Sequence, residues 1–144
     1  MKKTNNAGFS LVELIIVIAI MAVLIGVLAP QFIKYVEKSR LSADGTTVSE
    51  FETAMQTIAS DPDITLDSGK SYTVTNSGSA ISISGDLKAI FDTTGVIDTT
   101  KTFKFQSSAY KAATVKVELK YNSTSQVWEF KTTGLPAAAV SSSS

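Results

Sequence analysis

The first part of the chain is dominated by an apolar run that holds no charged side chain from Leu14 to Ile33. A helix rises about 1.5 Å per residue, so the roughly twenty residues of this run suffice to span the hydrocarbon core of a bilayer. Glu13 stands directly before the run. A carboxylate in a membrane-spanning helix costs about 2.5–3.5 kcal/mol, so Glu13 indicates a function or a partner unless it can reach the headgroups from the helix end.

The helical pattern continues beyond the apolar run to about Ser60. Between Pro30 and Pro62 there is no further proline, and Gly45 is the one weak position. Near the end of this segment an apolar stripe recurs at helical spacing: Val48, Phe51, Met55 and Ile58. The pattern predicts one long helix whose last part packs against a sheet.

After the helix, shorter patterns predict a hairpin and a second helix. The two alternating runs YTVT and AISI, between Tyr72 and Ile83, are typical of a hairpin or of irregular strands. The following stretch GDLKAIFDTTG predicts a short helix with Asp86 as its N-cap and Gly95 just past its end.

Alternation of apolar and charged residues is clearest in the C-terminal third of the chain. It predicts three half-buried strands, at residues 103–105, 115–121 and 128–131. The sequence NSTSQ predicts a turn between the last two strands, which should therefore pair antiparallel. We expect the aromatic face of these strands, including Trp128 and Phe130, to lie on the apolar stripe of the long helix.

Composition narrows the chemistry that the chain could perform. The 13 basic and 13 acidic side chains balance, so there is no strong signal for a nucleic-acid partner. Cysteine and histidine are both missing from the sequence, which excludes disulfides, the usual zinc sites and the common nucleophilic triads. The acidic loop SDPDITLDSGK has Leu66 where an EF-hand calcium loop requires glycine. We expect a protein that is not an enzyme and has no cofactor or metal.

The residue pattern leaves three interpretations of the N-terminal segment: a cleaved secretory signal, a plain single-pass anchor, or an anchor that also assembles with copies of itself. The small residues Val27 and Ala29 fit a signal-peptidase site. However, the apolar run exceeds the usual length of about 7–15 residues, and Pro30 would follow the cut directly. A plain anchor leaves Glu13 unexplained.

The stretch Gly8-Phe9-Ser10-Leu11-Val12-Glu13, preceded by a leader with Lys2 and Lys3 and followed by the apolar run, resembles the class III signal of type IV prepilins. In that family a prepilin peptidase cuts after the glycine and methylates the new N-terminal phenylalanine. The resemblance implies cleavage between Gly8 and Phe9 and makes Glu13 the assembly carboxylate. Paired between neighbouring subunits, the Phe9 amine and Glu13 would compensate each other only in one axial register.

Gly26 and Pro30 form a second feature of the apolar run. A proline ring clashes with the carbonyl four residues earlier and removes one helical hydrogen bond, and that earlier residue is Gly26, itself a poor helix former. An ordinary transmembrane kink is an equally good explanation of the spacing. The resemblance to pilins favours a weak point that loses helical structure when subunits enter a filament.

The resemblance also implies the fold class: an α+β type IV pilin fold, in which the C-terminal half of a long N-terminal helix packs on a small antiparallel β-sheet head. We therefore divide the chain into a cleaved leader (residues 1–8), a transmembrane or filament-core helix (9–33), the continuation of that helix (34–60), a head of αβ-loop and antiparallel sheet (61–136) and a flexible tail (137–144).

The function that the resemblance implies is that of a structural subunit of a type IV pilus, polymerising after processing. Its partners would be other copies of itself, a prepilin peptidase, a pilus assembly platform and, before assembly, the cytoplasmic membrane. Two alternatives stay open: a pseudopilin of a type II secretion or DNA-uptake system, and a membrane-tethered extracellular binding domain. Many Gram-negative pilins have a C-terminal cysteine pair that this sequence lacks, which is compatible with a Gram-positive source.

Overall fold

The computed structural model describes residues 8–140, and the chain divides into two compact units between Val36 and Glu37. The elements in chain order are α1 (Leu11–Ser60), β1 (Ser71–Ser77), β2 (Ala80–Ile83), α2 (Gly85–Thr94), α3 (Ser108–Ala112), β3 (Lys116–Asn122), β4 (Val127–Thr133) and α4 (Ala137–Val140). The predicted α+β architecture, a long N-terminal helix followed by a small antiparallel sheet, is confirmed.

In the first unit, α1 presents its apolar side chains to the outside. Every residue from Gly8 to Tyr35 is exposed. Among the described residues, α1 is the one helix long and apolar enough to cross a membrane, and none of its most apolar 18-residue window is buried. A helix satisfies its backbone hydrogen bonds internally, so it suits a segment that is covered by lipid or by other apolar helices.

In the second unit, α1 provides one side of the hydrophobic core. The predicted apolar stripe is confirmed, because Val48, Phe51, Met55 and Ile58 are all buried, and α1 ends at Ser60 as expected. Opposite the stripe, the core is filled by residues of the sheet, of α2 and of the segment before β3: Tyr72, Val74, Leu87, Phe91, Phe105, Tyr110, Val115, Val117 and Leu119.

The sheet has the strand order β2-β1-β3-β4, and all neighbouring strands are antiparallel. The predicted β1–β2 hairpin and the predicted antiparallel pairing of β3 with β4 are both confirmed. Opposite residues share a face of the sheet, so Phe130, which pairs with Leu119, points to the same side as the core. On the other face, Glu118 lies opposite Lys131 and Lys120 opposite Glu129, a pairing that suits a solvated surface.

The β4 aromatic residues face the core side of the sheet, as predicted, and are only partly buried. Trp128 is half-buried and Phe130 is 43% exposed, whereas Leu119 on the adjoining strand is 1% exposed. The reason is position, because β4 forms the edge of the sheet and has a neighbour on one side only. Trp128 nevertheless packs against the aromatic rings of Tyr72 and Tyr121, at centroid distances of 5.8 and 5.4 Å.

The predicted strand at residues 103–105 is also wrong. This segment is irregular and makes a single isolated bridge, from Lys104 to Ala80 at the edge of β2. Its two phenylalanines still face the core: Phe103 makes an edge contact with Phe51, and Phe105 packs on Tyr110. The alternation over these three residues therefore predicted correctly which side chains face the core, although the segment does not form a continuous strand.

Helix α2 begins two residues earlier than predicted, at Gly85. Its N-cap is Ser84, so Asp86 lies in the first turn, where it pairs with Lys70 at 3.2 Å. The Ser84 hydroxyl does not cap the helix, because it accepts a hydrogen bond from the Thr73 backbone N–H of β1 instead. The predicted end is confirmed, since Gly95 has φ 66° and donates its N–H to the Phe91 carbonyl.

At the C-terminus, the segment predicted to be a flexible tail includes a turn of helix. Residues 137–140 form α4, and Ala139 packs against the core. The chain reaches α4 through Gly134, whose φ of 76° and close approach to the Thr114 carbonyl leave no room for a side chain. The serine run, residues 141–144, lies outside the described residues.

Candidate processing and assembly segment

The proposed cleavage position precedes α1 and is accessible. Gly8 is exposed, and apart from its chain neighbours no atom of the described residues lies within 4 Å of the place where its side chain would begin. The Phe9 side chain is 86% exposed. Because both residues stand before the first helical residue, Leu11, the peptide bond between them is not part of the helix. Lys2 and Lys3 of the leader lie outside the described residues.

Glu13 forms a specific contact at the start of α1. Its Oε2 accepts a hydrogen bond from the backbone N–H of Ser10 at 2.9 Å, while the Ser10 carbonyl accepts from the N–H of Leu14 at 3.3 Å. Ser10 is therefore the N-cap residue and Glu13 lies three positions later, as in a capping box. The sequence signal S-x-x-E was present in residues 10–13, but Glu13 was interpreted only through its insertion in the membrane and its pairing with a neighbouring subunit.

Gly26 and Pro30 lie one helical turn apart inside α1. The helix is continuous through both residues, although Pro30 has no N–H to donate to the Gly26 carbonyl. Nothing lies within 4 Å of a side chain built at Gly26, so close packing does not require the glycine there. Gly26 is about 20 Å along the helix from Glu13, which keeps this pair separate from the capping contact.

In the second unit, two carboxylates of α1 hold the start of α3 by hydrogen bonds. Asp44 is 2% exposed and accepts from the backbone N–H groups of Gln106 and Ser107 and from the Ser107 hydroxyl, at 2.7–3.0 Å. Two turns earlier, Glu37 accepts from the Ser108 N–H, a bond that holds the pKa of this carboxyl below its ordinary value of 4.5. The sequence did not predict the contacts of Asp44 or of Glu37, because each carboxylate lies more than 60 positions from its partner in the chain.

Asn76 joins β1 to the segment between α3 and β3. Its Oδ1 accepts from the Val115 N–H at 2.6 Å, and its Nδ2 donates to the carbonyls of Ala113 and Tyr110 at 2.8 and 3.2 Å. Burial raises the pKa of Tyr110, with further contributions from the charges of Asp44 and Glu52. These contacts stabilise the second unit and lie far along the chain from Gly8, Phe9 and Glu13.

The described residues were searched for side chains that could together bind a metal ion. Within residues 8–140 no group of three or more His, Cys, Asp or Glu side chains could hold a metal ion. The acidic loop after α1 uses its carboxylates locally: Asp61 accepts from the Asp63 N–H, and Asp67 from the Gly69 N–H. These bonds are those of ordinary turns.

Comparison with known proteins identifies the N-terminal segment. Residues 3–29 match the family model described as the prokaryotic N-terminal methylation motif. Over 59 residues the chain is 38% identical to the type IV major pilin protein PilA of Myxococcus xanthus (strain DK1622), a match that covers 41% of this chain and 27% of the relative. The similarity thus spans about a quarter of that protein's length. No solved structure matches the chain.

A long exposed apolar helix that opens with a methylation motif and is followed by a small antiparallel sheet is the arrangement that the resemblance to type IV pilins implies. The motif and the similarity to a major pilin together support a type IV pilin. The apolar N-terminal helix fits a precursor that is anchored in a membrane.

Proposed function

We propose that this chain is the structural subunit of a type IV pilus and polymerises through α1 into an extracellular filament. The observation that carries the proposal is the complete exposure of an apolar helical segment, from Leu11 to Tyr35, whose first part matches the methylation motif. Apolar surface of this extent is stable in water only when covered. Lipid covers it before assembly, and neighbouring copies of the same helix cover it in the filament.

Processing prepares the subunit for assembly. A prepilin peptidase cuts between Gly8 and Phe9 and methylates the new amine of Phe9. The exposed position of this peptide bond outside α1 supports the assignment, because a peptidase needs the scissile backbone to be extended and accessible.

The cleaved subunit assembles through the Phe9 amine and Glu13. Either charge alone is unfavourable in an apolar filament core, whereas the pair compensates when the helices of two subunits are aligned. The contact joins two different surfaces of the same chain, so repeating it produces an open fibre rather than a closed ring. A membrane assembly platform adds the subunits, and the finished pilus lies on the cell surface.

The segment around Gly26 and Pro30 gives α1 a place to adjust during this transfer. The Gly26 carbonyl has no hydrogen-bond partner at Pro30, so local loss of helix costs less here than elsewhere in α1. We propose that α1 is helical here in the membrane, as in the isolated chain, and locally unwound in the filament.

A pseudopilin of a secretion or DNA-uptake system would share the same N-terminal motif. The similarity to a major pilin favours the pilus subunit. The amount of this chain in surface fibres distinguishes a pilus subunit from a pseudopilin, because a major pilin is the principal protein of long surface fibres.

The test is to express the chain together with a prepilin peptidase and an assembly platform, shear the cells, and analyse the released material. We expect electron microscopy to show fibres and mass spectrometry to find this chain as their main component, beginning with a methylated Phe9. Retention of Met1 would support a membrane-tethered binding domain instead. A processed chain that never forms fibres would favour the pseudopilin.

A further inference from the structure

The capping bond at the start of α1 engages only one oxygen of Glu13. Oε2 accepts from the Ser10 N–H at 2.9 Å, and within residues 8–140 no hydrogen bond or ion pair reaches Oε1. An ionised carboxylate can accept several hydrogen bonds. The free oxygen can therefore bind a further donor without breaking the bond to Ser10.

The capping bond also restricts where the carboxylate lies. A glutamate side chain samples many rotamers when it is unrestrained, and holding it in one geometry has an entropic cost. Here the bond to Ser10 holds the carboxylate beside the first turn of α1, at the N-terminal end of the helix, which Phe9 directly precedes. The donor is a backbone N–H that cleavage after Gly8 leaves in place, so the mature subunit retains the contact.

We propose that Ser10 is a positioning residue for assembly, acting through its backbone N–H. It holds Oε2 of Glu13, so that Oε1 is presented to the N-terminal ammonium group of a second copy of the chain. The inference rests on the proposed function, and it adds that the assembly carboxylate is preorganised within each subunit before the neighbour arrives.

The first test compares two substitutions that leave Glu13 intact. Ser10→Pro removes the N–H donor, and proline is tolerated at the start of a helix, whereas Ser10→Ala keeps the donor and removes only the hydroxyl. At equal amounts of cleaved subunit in the membrane, we expect Ser10→Pro to give roughly fivefold fewer sheared fibres than Ser10→Ala, the scale of one lost intramolecular hydrogen bond. Equal yields from the two variants would overturn the positioning role.

A second measurement detects the bond directly and does not depend on cleavage of the proline variant. In the ¹⁵N-labelled full chain in detergent micelles, the Ser10 amide proton resonance should shift as Glu13 ionises, and the shift should be lost in Glu13→Gln. A Ser10 amide that does not respond to pH in the wild-type chain would overturn the inference.

The same Glu13→Gln variant separates this inference from the proposed function. Glutamine retains an oxygen that can accept from Ser10 but carries no charge to pair with an ammonium group. We expect it to lose fibres. Fibres at the wild-type yield would contradict charge pairing itself, whereas lost fibres together with equal yields from the two Ser10 variants would contradict only the positioning role.

Discussion

Single residues at the start of α1 combine local and intermolecular requirements. Glu13 satisfies the Ser10 N–H within its own helix, which gives the carboxylate a structural role even in an isolated subunit. The proposed pairing with the Phe9 amine of a neighbour uses the same side chain again. A residue that first looks like a costly charge in a membrane helix is therefore hydrogen-bonded within its own subunit, and its second oxygen stays available for the proposed pairing.

Processing at Gly8 gives the first prediction. A peptidase must bring its own groups close to the backbone at the cut, and a branched side chain at this position would obstruct that approach. We expect Gly8→Val to accumulate in the membrane as the longer, uncleaved chain. An immunoblot that resolves the two lengths is sufficient, and cleavage at the normal rate would show that the leader has been misassigned.

Asp44 gives a prediction about stability at the residue scale. Replacing it with alanine leaves the buried donors of Ser107 without their carboxylate, and we expect the second unit to lose about 3 kcal/mol of unfolding free energy. The measurement is urea unfolding of a soluble fragment that begins at Lys34. Glu50→Ala is a matched control, because Glu50 is an exposed carboxylate on the same helix. Equal effects of the two substitutions would contradict the role of Asp44.

At the scale of elements, α1 is one helix with two different environments. Up to Tyr35 its side chains are exposed, whereas all buried side chains of the described chain lie between Asp44 and Leu119. The edge position of β4 explains why its aromatic residues remain partly accessible although they face the core side of the sheet.

The edge position of β4 predicts unequal effects of two aromatic truncations. Phe51 is 2% exposed in the centre of the core, so Phe51→Ala should cost about 3–5 kcal/mol. Trp128 is half-buried, so Trp128→Ala should cost about half as much. Thermal unfolding of the same fragment provides the comparison, and a larger loss for Trp128 would mean that β4 is covered more fully than its edge position allows.

The contact of Glu37 with α3 predicts a pH dependence. Its pKa is lowered in the folded state, chiefly by the hydrogen bond from the Ser108 N–H, so its contribution to stability is present above the unfolded-state pKa near 4.5 and is lost as the pH falls through the lower folded value. Glu37→Gln should therefore lose less stability between pH 7 and acidic pH than the wild type does. Unfolding curves at a series of pH values test this, and parallel profiles would contradict it.

For the whole molecule, local patterns predicted the elements better than the contacts between them. The apolar stripe of α1, the end of α1 at Ser60 and the β3–β4 hairpin all follow from short-range periodicity and turn residues. The bond from Ser107 to Asp44 joins residues 63 positions apart, and no local pattern reports such a contact. The extent to which the β4 side chains are buried could not be predicted either. Alternation reports which face of the sheet a side chain occupies, but not whether a neighbouring strand covers it.

The candidate site was predicted to a similar extent. The resemblance to prepilins singled out Gly8, Phe9 and Glu13, and residues 3–29, which include them, match the methylation motif; their individual roles stay predictions. The proposed pairing of Glu13 with a second chain came only from the resemblance to prepilins, because it depends on how several copies pack and no pattern within one chain reports that. The cap formed with Ser10 could have been predicted, since S-x-x-E before a helix is a local signal.

The central claim, that α1 assembles through the charge of Glu13, is tested most directly by Glu13→Ala expressed as the only copy. The substitution removes an insertion cost of about 2.5–3.5 kcal/mol, so the subunit should remain abundant in the membrane. In the filament it leaves the Phe9 amine unpaired, a loss of about 3–5 kcal/mol when the charge is buried. The measurement is the ratio of sheared fibres to membrane subunit, with Glu50→Ala as the control. We predict few or no fibres for Glu13→Ala, and a ratio equal to that of the wild type would contradict the account.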